Sequence, residues 1–229
     1  MNKLKPLYYL KYVDNQYVKS FKDGNLFFNS LNYFENLENN NNDKKIGDQY
    51  EGTKLYRSNH PVLKINNIVI PVKDIVGPVD LTQGLSNKEK SSIGIACFMA
   101  ITRNDLIRSI NPKEFVLKEE FISDVKKMGS SDRTLFLVSA KVINYVKRKD
   151  ELKDGLVKYY DPYDGDSFKL IDNKDEAVFY KRMSYKYQHE YRLVKDLNKH
   201  ANITKFPNAA KNLVPIDIKN LNTLKILLN

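Results

Sequence analysis

Short apolar runs alternate with polar, turn-forming stretches along the whole chain. Leu7-Tyr8-Tyr9-Leu10-Lys11-Tyr12-Val13 is rich in aromatic and β-branched residues and predicts a first strand. Asp14-Asn15 offers an N-cap for a short helix over Gln16 to Lys22, which Asp23-Gly24 would end. Asn25 to Ser30 reads as a compact, buried second strand. Leu31, Phe34 and Leu37 then fall on one side of a turn of helix. The tract 38–45 holds four consecutive asparagines and no apolar residue, and it predicts a mobile loop.

The middle of the chain is β-rich. Val62 to Ile65 and Ile68 to Val72, separated by Asn66-Asn67, predict a hairpin. Gly77 to Ser92 is polar and turn-rich, and Ile93 to Thr102 is an apolar strand. Asn104-Asp105 could cap a short helix through Ile110, and Phe115 to Lys127 has helical spacing. Leu135 to Val146 reads as one or two strands, Glu190 to Val194 as another, with Leu213 to Ile218 and Leu221 to Leu228 closing the chain. Strands outnumber helices. The expected class is therefore α+β, a single domain over 1–229 with a central, partly antiparallel sheet and short helices.

Composition narrows the function classes. The 229 residues carry 38 basic and 28 acidic side chains, a formal charge of +10, so a polyanion or an acidic protein surface is a plausible partner. No run of five basic residues marks a nucleic-acid tail. The most basic stretch, Lys181 to Lys211, has Tyr180, Tyr185, Tyr187 and Tyr191 interleaved with its cations, a mixture suited to single-stranded nucleic acid. One cysteine, Cys97, rules out an internal disulfide and sits in an apolar run as an expected buried thiol. His60, His189 and His200 lack ligand spacing, so no zinc site is expected. No signal-like or membrane-spanning apolar run is present, and the expected location is cytoplasmic, in a bacterium or a host cell.

The segment from Tyr180 to Val194 carries the most specific chemistry. Period-two alternation puts Glu190, Arg192 and Val194 on one face of a strand, with Tyr191 and Leu193 on the other. A carboxylate held on a strand beside cations stays ionised at neutral pH and can accept a ribose hydroxyl or stabilise a cationic transition state. A second arrangement would gather Asp48, Glu51 and Glu190 around Mg²⁺, with Lys181 near a scissile phosphate, as a nuclease does. A third is non-catalytic. Lys181, Arg182, Lys186 and Tyr187 would form a contact face for RNA, DNA or a ribonucleoprotein, for instance in an inhibitor of host immunity.

The series Lys11-Tyr12, Leu26-Phe27-Phe28-Asn29-Ser30, Gly47-Asp48-x-x-Glu51-Gly52, Ala96-Cys97-Phe98 and Glu190-Tyr191-Arg192 resembles a largely uncharacterised family of bacterial and phage proteins. Its members open on Tyr-Lys/Arg-Tyr and end on a Glu-Tyr-Arg motif. Here Asn36 and the asparagine tract replace the family's Asn-Asp, there is no tryptophan for its central motif, and His189 precedes the glutamate. The strand–helix–strand opening with a late glutamate is also similar to ADP-ribosyltransferases. That resemblance implies an ADP-ribosyltransferase-like fold with NAD as cofactor, and transfer to a macromolecular target or NAD glycohydrolysis in phage–host conflict or as a toxin. It further implies that Glu190 polarises the nicotinamide ribose, that Ser30 and Tyr33 support it, and that Lys11, Tyr9 and Arg192 approach the NAD. Lysine stands on the first strand where those enzymes carry His or Arg.

Overall fold

The structure, a computed structural model, describes residues 5–41, 46–58, 62–65, 68–71, 78–111, 113–164, 171 and 173–227. Strand β1 (Tyr8–Asp14) forms from the first apolar run. Asp14 does not cap the next helix but takes Arg133 Nε at 3.0 Å, and a 3-10 turn at Asn15–Tyr17 leads into helix α1 (Val18–Lys22). Gly24 ends that helix at φ +86°, where a Cβ would lie 2.4 Å from the Phe206 carbonyl oxygen. The expected second strand is two strands, β2 (Asn25–Phe27) and β3 (Asn29–Ser30). Phe28 sinks into the core between them, and each half pairs with a different partner. Helix α2 (Leu31–Asn41) runs four residues beyond Leu37, because Arg182 and Tyr185 anchor Glu38. Residues 38–41 of the asparagine tract are therefore helix rather than loop, and 42–45 lie outside the described residues.

Strands β4 (Thr53–Ser58), β5 (Val62–Ile65), β6 (Ile68–Pro71) and β7 (Val79–Gly84) follow. The β5–β6 pairing has the expected register, Ile65 opposite Ile68, with its Asn66-Asn67 turn outside the described residues. The polar stretch before Ile93 contains β7, paired with β4, and helix α3 (Asn87–Ser92), opened by a Ser86–Glu89 capping box. Next come β8 (Ile93–Ile101), β9 (Leu106–Arg108), β10 (Glu114–Leu117), helix α4 (Glu119–Met128), β11 (Arg133–Val138) and helix α5 (Ala140–Lys149). Asn104-Asp105 thus belongs to a single 3-10 turn, since buried Leu106 is drawn into pairing with Leu117. Leu135 to Val146 is a strand and then a helix, because Val142, Ile143 and Val146 bury one helical stripe. The chain ends through β12 (Lys153–Leu156), β13 (Lys158–Tyr160), β14 (Tyr180–Arg182), β15 (Glu190–Asp196), β16 (Ile203–Lys205), helix α6 (Ala209–Asn212), β17 (Leu213–Ile216) and β18 (Lys225–Leu227).

The architecture is α+β. A seven-stranded sheet runs in the order β12-β15-β8-β1-β11-β17, with β3 also on β8. All of its pairings are antiparallel, so the expected mixture of directions is absent from this sheet; β13 and β14 form a separate parallel pair. One face buries Tyr9, Phe98, Phe136, Tyr191 and Leu193 against Phe21, Val142, Ile143 and Ala209 of α1, α5 and α6. The opposite face packs Leu10, Met99 and Ile101 on α4, and Ile95 and Val194 on α2.

The sheet parts at one place. On the same side of β8, β1 pairs with residues 99–101 and β3 pairs with 94–95, so residues 96–98 have neither as a partner. The Cys97 carbonyl in this gap accepts Lys11 Nζ at 3.0 Å.

Candidate active site

A cavity of about 330 Å³ opens along the gap. Lys11 and Val13 of β1 form one wall, Ala96, Cys97 and Phe98 of β8 the floor, and Tyr33 and Phe34 of α2 another wall. Glu51, Lys181, Gln188 and Glu190 also line it. Tyr17, Phe27 and Tyr33, all exposed, mark its mouth, with the Tyr17 and Phe27 ring centroids 6.0 Å apart. The cavity thus holds charged groups inside and exposed aromatic rings at its mouth.

The charged end is built from three chain segments. β15 supplies Glu190 and Arg192 on one face, β14 supplies Lys181, and the loop before β4 supplies Asp48 and Glu51. Gly52 closes that loop at φ +68°, and a Cβ there would press on Leu31 and Leu85. Arg192, fully buried, donates from Nε to Glu190 Oε1 at 2.7 Å, from Nη1 to Glu51 Oε1 at 2.6 Å, and to the Val178 carbonyl. Lys181 Nζ donates to Glu190 Oε2 at 3.1 Å and lies 3.7 Å from Glu51 Oε2. Glu51 Oε2 is buried without a hydrogen-bond partner among the described residues. Further charge surrounds this group, as Arg182 Nη2 donates to Asp48 at 2.7 Å and to Glu38 at 3.0 Å.

These surroundings pull the two glutamates apart. Burial pushes both carboxyls up. At Glu190 the Arg192 guanidinium and the Lys181 ammonium outweigh burial and hold it far below the usual carboxylate range. At Glu51 burial prevails over the same two cations, reinforced by the charges of Glu190 and Asp48, and its pKa is raised. Burial lowers the pKa of Lys11 and raises that of the Cys97 thiol.

The structure sorts the expected site residues. Glu190, Lys11 and Tyr33 line the cavity. Ser30 does not; its Oγ accepts the Tyr33 backbone N–H at 3.3 Å and caps α2. Ser30 pairs with Gly94 and Glu190 with Met99, which separates them by roughly 17 Å along β8 at ~3.4 Å per residue. Tyr9 is core, its ring 4.9 Å from that of Tyr191, and Arg192 acts behind the cavity wall through Glu190 and Glu51.

The expected polyanion face at 180–195 is surface only in part. Lys181 is 3% exposed and Arg182 is engaged by Asp48 and Glu38; Lys186 is exposed and Tyr187 half-buried. Asp48, Glu51, Glu190 and Lys181 do converge, as a nuclease arrangement requires. Arg192 and Arg182 occupy the space between the carboxylates, and no group of residues able to hold a metal ion occurs among the described residues. His189 bonds Asp124 at 3.0 Å, and His60 lies outside the described residues. From the sequence Glu51 reads only as a metal ligand, and the glycine-bounded Gly47-Asp48-x-x-Glu51-Gly52 loop is the signal for it. No protein-family model, curated protein or solved structure matches the chain.

Proposed function

We propose that this chain is an enzyme that binds the nicotinamide ribose end of NAD in the β1–β8–α2 cavity and cleaves the glycosidic bond, passing the ADP-ribose to water or to a macromolecule. The observation that carries this reading is the pairing of two unlike carboxylates, Glu190 and Glu51, in one cavity. Carboxylates whose environments drive their pKa values apart divide into a permanently charged stabiliser and a proton-handling group. The volume lies at the small end of the ligand-pocket range, about 300–1,000 Å³, and suits a nucleoside better than a whole dinucleotide.

NAD supplies an already cationic leaving group on its ribose. Glu190 stays ionised and stabilises the positive charge that develops on the sugar. Glu51 Oε2, which has no hydrogen-bond partner among the described residues, accepts the proton of the attacking water or hydroxyl, a role that favours a carboxylate raised toward the working pH. Lys11 gives one donor to Cys97 and keeps two for an anionic group. Exposed Tyr17, Phe27 and Tyr33 offer rings on which a base can stack.

Incubation with nicotinamide-labelled NAD tests the reading. Release of labelled nicotinamide is expected, with Glu190→Gln slower by about 10²–10³-fold. No NAD loss in the presence of cell lysate, from a protein whose melting curve shows it folded, would sink it.

A further inference from the structure

Basic residues also gather on a face made by elements other than β14 and β15. Helix α5 has Val142, Ile143 and Val146 inward and Lys141, Asn144, Tyr145, Arg148 and Lys149 outward, at spacings of three and four residues. It packs beside α6, α6 beside α1, and α1 against β2, which pairs with β16. These four elements, α1, α5, α6 and β16, carry eight cations and no carboxylate. The remaining 30 basic and 28 acidic side chains of the protein nearly cancel.

Seven of the eight cations point into solvent. Lys19, Lys22, Lys141, Arg148, Lys149, Lys205 and Lys211 are exposed. Lys147 pairs with Asp154 at 2.6 Å, and Lys149 donates to the Lys205 carbonyl at 3.0 Å. Of the nearest carboxylates, Asp150 is turned to Lys195 and Thr204, while Asp23 and Glu151 sit just past the ends of α1 and α5. Exposed aromatic side chains share the face. Tyr145 lies among the α5 cations, and Phe27 stands on β2 beside Ile203 of β16, with the Tyr17 ring tilted against it at 6.0 Å.

We infer that this face binds single-stranded nucleic acid, its cations following the phosphates and its exposed rings stacking on bases. Seven exposed cations, bordered by the carboxylates Asp23 and Glu151 at the helix ends, give this surface a net positive charge that suits a polyanion. Exposed aromatic rings among the cations suit a base-bearing polyanion, since each base offers a π-face. The track has a direction. Tyr17 and Phe27 belong both to this face and to the cavity mouth, so a bound strand would run past the site. The binding claim does not rest on the glycosidic reading.

The experiment is fluorescence anisotropy of a labelled mixed-sequence single-stranded oligonucleotide against protein concentration over a range of salt. The triple variant Lys141→Glu/Arg148→Glu/Lys149→Glu is expected to bind at least ten-fold more weakly at low salt. Its log K against log salt slope should be shallower by about 2, at ~0.7 for each phosphate that is no longer neutralised. Tyr145→Ala should weaken binding without changing the slope. Lys113→Glu/Lys126→Glu, exposed in the turn before β10 and on α4, should bind almost as wild type. Equal weakening by that control, wild-type affinity in the triple variant, or equal affinity for anionic lipid vesicles would each overturn the inference. Melting curves confirm that the variants are folded, and NAD turnover of the triple variant separates this outcome from failure of the glycosidic site.

Discussion

Lys11 Nζ donates to the Cys97 carbonyl at 3.0 Å, across the gap where β8 lacks a strand partner on that side. A side chain supplies the hydrogen bond that a neighbouring strand would otherwise make, so the sheet can part without stranding a buried acceptor. Lys11→Met keeps the stem and removes the donor. The expected cost is about 1–3 kcal/mol, the desolvation penalty of the unpaired carbonyl, read as a lower urea midpoint with an unchanged m-value.

The charged end makes a second prediction, about asymmetry. Arg192 serves Glu190 and Glu51 together at zero exposure. Arg192→Met would leave both carboxylates with Lys181 alone, and breaking a buried ion pair from one side costs about 3–5 kcal/mol. A double variant Arg192→Met/Glu190→Gln should recover part of that loss. Thermal melts of the two single variants and the double would show it, and strict additivity would mean that the groups are not coupled.

Ser30 offers a third prediction. Resemblance places it at the nicotinamide ribose, whereas its Oγ caps α2 by accepting the Tyr33 N–H. Ser30→Ala should cost about 0.5–2 kcal/mol as a lost N-cap, while NAD turnover per folded molecule stays within about two-fold. Tyr33→Ala should do the opposite, weakening ligand binding with little effect on the melt, because its ring is exposed at the cavity mouth.

What the sequence discloses follows from how local each cause is. The alternation in 190–194 predicts which side chains share a face, and the structure keeps it: Tyr191 and Leu193 pack with Tyr9, and Arg192 and Val194 face the other way. The hairpin and the stop at Gly24 are local as well. The division of Asn25–Ser30 into two strands is not, because it depends on β16 and β8, more than sixty residues away. The same is true of the network. Glu51 is 141 positions from Arg192, and nothing in either neighbourhood announces their 2.6 Å hydrogen bond. Glu190 is a local partner for Lys181 and Arg192, but the second carboxylate that buries them, Glu51, arrives from a distant loop. Net charge is legible as a quantity, but its placement on α1, α5, α6 and β16 needs the fold.

The opposed glutamates predict how stability depends on pH. Glu190 has a folded pKa below its unfolded value, so its stabilisation is complete above the ordinary carboxylate range, near pH ~4.3, and is lost as pH falls toward the folded value. Glu51 has a folded pKa above its unfolded value. Its contribution is complete below about pH 4.3 and is lost as pH rises through the folded value. Glu190→Gln should therefore cost much more at about pH 7 than at about pH 3. Glu51→Gln should be better tolerated at about pH 8 than at about pH 4, since the amide removes a charge that burial disfavours. Urea midpoints from about pH 3 to about pH 9 for wild type and both variants measure this. Parallel curves for the two variants would show that the glutamates are equivalent, and with that the division of labour proposed for the cavity would fail.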